Sequence, residues 1–72
     1  MFTEELNFFI ANQDRLVNEH RGKVLAIRGN EIIGVYGTPL EAYLESQKRF
    51  PVGTFMIQPC EPGPEAYTVS LV

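Results

Sequence analysis

The chain contains one cysteine, Cys60, and one histidine, His20, the candidates for a thiol nucleophile and its base. A thiol becomes reactive where nearby positive charge or a helix N-terminus favours the thiolate. The neighbour of Cys60 is Glu61, which works in the opposite direction. No third group is evident to orient the pair, as nucleophilic sites require. The expectation is a structural Cys60, a His20 that serves as a helix-end cation or a packed ring, and no catalytic residue. A lone cysteine also excludes an internal disulfide.

Metal and cofactor chemistry fare no better. Structural and catalytic zinc sites use closely spaced ligands such as C-x-x-C or H-x-x-x-H, and neither spacing occurs. Asp14 is the only aspartate, so the Asp-Thr-Gly or Asp-Ser-Gly of an aspartic protease is absent. "GNEIIGVYG", residues 29–37, is rich in glycine but lacks G-x-G-x-x-G, and it reads as a hairpin, not as the opening of a helix. No metal and no cofactor are expected, and the chain is read as non-enzymatic.

The six cations, Arg15, Arg21, Lys23, Arg28, Lys48 and Arg49, all fall between positions 15 and 49. Four of them lie where positive charge complements a helix C-terminus. The net charge is −3, which repels phosphate backbones and anionic lipid, so nucleic acid is an unfavoured partner and a membrane is not expected. No apolar run approaches the roughly 18 residues of a membrane span. Glu4 and Glu5 stand where a signal peptide carries Lys or Arg. A cytoplasmic location is the expectation.

Two surfaces suit a protein partner. Phe8 falls on the far side of a helix from that helix's apolar stripe. The last strand, "AYTVSLV", turns Tyr67, Val69 and Leu71 one way and Thr68 and Ser70 the other, and an open sheet edge is a template for another strand. Phe8, Tyr67, Val69 and Leu71 are therefore the candidate interface. The function expected is a protein-interaction module that pairs with itself as a homodimer or binds another protein. The alternative is a small nucleic-acid-binding regulator.

These residues must be positioned by 72 residues, of which 44% are apolar, enough for one globular core. "TEELNFFIANQDRLVNEHRG" places Leu6, Phe9, Ile10, Leu16 and Val17 on one helical face, with Thr3 as cap and Gly22 as terminator. "KVLAIRGNEIIGVY" reads as a hairpin turning at Gly29-Asn30. Its predicted register sets Arg28 opposite Glu31, Ile27 opposite Ile32, Ala26 opposite Ile33 and Val24 opposite Val35. Both faces of this hairpin are apolar, so the face that does not receive the helices calls for a cover. Thr38, Pro39 and Glu41 form a capping box that starts a second helix, whose predicted stripe is Leu40, Tyr43, Leu44 and Phe50. "TFMIQ" and "AYTVSLV" follow as strands around the rigid loop "PCEPGPE".

The order is α-β-β-α-β-β: one α+β domain over 1–72, a four-stranded, mainly antiparallel sheet with two helices on one face. An αββ duplication, 3–36 with 38–72, is suggested by a constant offset of 34. It aligns Leu6, Phe9, Ile10, Gln13 and Leu16 with Leu40, Tyr43, Leu44, Gln47 and Phe50.

"FIANQDRLV", "GKVLAIRGNEIIGVYGTPLEA" and "FPVGTFMIQPCEPGPEAY" together resemble a family of small prokaryotic proteins of unknown function. The shared features are Gly22 to Ile27, Gly34 to Tyr36, Pro39 to Ala42 and Thr54 to Ile57, and the departure is at His20. The resemblance implies a common fold and carries no activity, because its shared residues are turns, caps and core positions.

Overall fold

The computed structural model describes residues 2–63. The elements are α1 (Thr3–His20), β1 (Val24–Arg28), β2 (Glu31–Tyr36), α2 (Pro39–Gln47) and β3 (Met56–Pro59). The sheet order is β2-β1-β3, and both pairings are antiparallel. The fourth strand expected at 66–72 lies outside the described residues, and Tyr67, Val69 and Leu71 lie outside them as well.

The two helices do not share a face of the sheet, which corrects the expected layering. Leu25 and Ile27 of β1 pack with Phe9, Leu16 and Val17 of α1 and with Met56 and Cys60. Val24 and Ala26 pack instead with Ala42 of α2 and with Phe55 and Ile57. Successive strand side chains point to opposite faces, and four consecutive residues of β1 are buried. A strand apolar on both faces needs a cover on each, and the chain supplies one helix per face. The described residues therefore form a helix–sheet–helix sandwich with β1 at its centre.

The hairpin register also differs from the expectation. Arg28 faces Glu31 and Ile27 faces Ile32 as predicted, but Ala26 faces Gly34 and Val24 faces Tyr36. A bulge inserts Ile33 as an extra residue, which shifts every later pair by one. A Cβ at Gly34 would run into the Tyr36 ring, so a larger residue there would have to displace that ring. At the turn, Gly29 has φ +63° while Asn30 keeps a negative φ. That matches a hairpin turn with glycine at its first central position.

Helix α1 has Phe2 at its N-cap with no side-chain cap, so Thr3 begins the helix and does not cap it. Glu5 accepts a 2.7 Å hydrogen bond from the Gly29 N–H and ties the first turn of α1 to the hairpin turn. Ile10, expected inside, is exposed, so the buried stripe of α1 is narrower than the periodicity suggests.

Helix α2 starts as predicted. Thr38 Oγ1 accepts from the Glu41 N–H at 3.1 Å, and Glu41 Oε1 reaches back to the Gly37 N–H at 3.0 Å. The reciprocal bond thus lands one residue before the cap. The helix ends at Gln47 instead of running to Phe50, since the Arg49 and Phe50 amides both turn back onto the Ser46 carbonyl. Its buried residues are Ala42 and Ser46, not Leu40 and Leu44.

Candidate interaction surface

The two chemistry-bearing residues are separately employed. Cys60 is fully buried in the core cluster beneath α1. Its N–H donates to the Lys23 carbonyl at 2.8 Å, and its carbonyl accepts from the Gly22 N–H at 3.1 Å. Burial pushes the Cys60 thiol up from its ordinary 9.0, and the charge of Glu61 adds to the effect. Both effects disfavour the thiolate form that a nucleophilic cysteine uses. His20 closes α1, with Nε2 3.7 Å from Glu19 Oε1. Among the described residues no group of three or more His, Cys, Asp or Glu is placed to hold a metal.

Gln13 interrupts the apolar stripe of α1, and its role appears only in three dimensions. Nε2 donates to the carbonyls of Glu61 at 2.9 Å and Gly63 at 3.0 Å. It pins the start of the proline-rich loop to α1. Gln47, its counterpart in the second helix, is exposed.

Phe8 is half-buried and packs against the cluster that contains Phe9 and Leu16. Part of its ring is therefore already used inside the chain. The larger apolar exposure is elsewhere. Leu40 is 66% exposed and Leu44 40%, and Val52, shortly after the helix, is also exposed.

Helix geometry explains why. At about 100° per residue, Leu40 and Leu44 lie half a turn from Ala42 and Ser46. The two small residues bring α2 close to the sheet, where Tyr43, Phe50 and Phe55 supply the bulk beside them. The rings of Tyr43 and Phe55 meet at 6.2 Å, tilted by 49°. Two leucines four residues apart are left as an outward ridge. Ser46 Oγ is buried on the inner side with no hydrogen-bond partner among the described residues.

A second cluster gathers at the far end of the hairpin. The Arg28 guanidinium lies 4.8 Å from the Phe50 ring centre and that of Arg49 lies 5.3 Å from it. Arg49 Nη1 also donates to the Ile33 carbonyl at 3.0 Å.

No helix among the described residues is long and apolar enough to cross a membrane. No protein-family model matches the chain, and no curated protein or solved structure does.

Proposed function

We propose that this chain is a non-enzymatic, cytoplasmic protein-interaction module that pairs with a second copy of itself through the outward ridge of α2. We include in the proposal a kinship with the small prokaryotic proteins it resembles. The observation that carries the interaction reading is the exposure of Leu40 and Leu44 on the side of α2 opposite its buried residues. Fully burying a leucine contributes about 1.5–3 kcal/mol, so two in one ridge favour a partner surface. The open face of the hairpin no longer argues for a second copy, because α1 and α2 cover one face each.

The helix dipole favours an antiparallel pairing, in which leucine meets leucine and the two dipoles oppose each other.

Sedimentation across the micromolar range tests this. The native chain should gain mass with concentration, and Leu40→Glu with Leu44→Glu should stay monomeric with an unchanged circular dichroism spectrum. A native chain that remains monomeric throughout contradicts the proposal. If Ser70→Pro abolishes the dimer and the leucine changes do not, the interface is the strand read at 66–72, with Tyr67, Val69 and Leu71.

A further inference from the structure

Three elements converge on Phe50. Arg28 ends β1, Arg49 and Phe50 follow α2, and Ile33 is the bulge residue of β2. The two guanidinium carbons can be no farther apart than their two distances to the ring taken together. Two positive charges thus share contact with one half-buried aromatic ring. Each gains from the ring's negative face, and each is repelled by the other.

Among the described residues no carboxylate forms an ion pair with either. Of the other cations, Arg15 lies 3.6 Å from Glu19 and Lys48 3.0 Å from Glu45, while Arg21 and Lys23 make no ion pair among the described residues. Arg28 and Arg49 make no ion pair among the described residues, although Glu31 stands directly across from Arg28 in the ladder. Arg49 is held in place by the Ile33 carbonyl, and Arg28 by the ring, so both guanidiniums are oriented before any ligand arrives.

We propose that Arg28, Arg49 and Phe50 form a seat for a phosphomonoester dianion. Two planar guanidiniums offer paired N–H donors whose spacing matches phosphate oxygens. A dianion neutralises both charges together. The chain's net charge of −3 disfavours a long polyanion while tolerating a single compact one. Glu31 opposes the ligand and lowers its affinity.

The test is a titration with inorganic phosphate against chloride at equal ionic strength, followed by the arginine side-chain and backbone amide resonances. Saturable shifts at Arg28, Arg49 and Phe50 are expected. Arg28→Gln or Arg49→Gln should weaken binding about three- to fivefold, the scale of one exposed charge interaction, while Arg15→Gln leaves it unchanged. Glu31→Gln should strengthen it, a gain that loss of folding cannot mimic. Unsaturable shifts, the same shifts with chloride, or an equal effect of Arg15→Gln overturn the seat. A single-stranded oligonucleotide that binds far more tightly than phosphate, with a steep salt dependence, overturns the monoester assignment in favour of nucleic acid. The titration can be run on the Leu40→Glu, Leu44→Glu chain, so its outcome is independent of self-association.

Discussion

Two single residues set the sharpest tests of the packing. Ser46 carries a hydroxyl that has lost water and gained no partner among the described residues. An unsatisfied buried polar group costs about 1–3 kcal/mol, and alanine is also the better helix former. Ser46→Ala should therefore raise stability by about 1 kcal/mol in denaturant unfolding. A loss of stability would mean that the hydroxyl has a partner. Cys60 tests the first core cluster in a different way. Its folded value is raised, so at alkaline pH the native chain holds a proton that the unfolded chain has lost. Its contribution is complete below the ordinary value of 9.0 and declines as pH rises above it toward the folded value. The thermal midpoint should fall across that window, and Cys60→Ala should flatten the fall while lowering the midpoint overall. In the native state the thiol should resist a mild alkylating agent that labels it on unfolding.

At the scale of elements, the local signals were the legible ones. Thr38, Pro39 and Glu41 announced the start of α2, and Gly29-Asn30 announced the hairpin turn, because caps and turns are written in adjacent residues. Thr38→Ala should cost about 0.5–2 kcal/mol, measured as a shift in the denaturant midpoint. An unchanged midpoint would mean that the cap bond does not form. The bulge at Ile33 was not legible, since apolar alternation fits either register until the Tyr36 ring is seen lying over Gly34. The buried side of α2 was misread for a related reason. Periodicity points to Leu40, Tyr43 and Leu44, but close approach to the sheet selects Ala42 and Ser46, and that preference depends on neighbours distant in sequence. Leu44→Ala should accordingly cost less than the about 2–5 kcal/mol of a fully buried leucine.

For the whole molecule, the decisive feature is a central strand buried on both sides. The hairpin's two apolar faces were visible in "VLAI", and so was the need to cover both. That each face takes one helix was not, and both helices were expected on one face, because the answer depends on how the chain crosses the sheet between α1 and α2. Once each face has its own helix, the described core is closed by the chain itself. Among the described residues Leu40, on the outer ridge of α2, is the most exposed large apolar side chain, while Ile10 and Val35 are exposed singly on other elements. Part of the candidate interface lies beyond the described residues, and Phe8 is partly consumed by the core, so the ridge carries the account of function.

The most direct measurement is a paramagnetic relaxation experiment on mixed chains. One chain carries a spin label at Gln47→Cys, where the side chain is exposed and the native Cys60 is shielded from the label. The other is unlabelled with spin but isotopically enriched. The account predicts broadening of the Leu40 and Leu44 methyl signals of the enriched chain, growing with concentration and absent when both leucines of the labelled chain are replaced by glutamate. No intermolecular broadening, or broadening confined to residues away from α2, would contradict it.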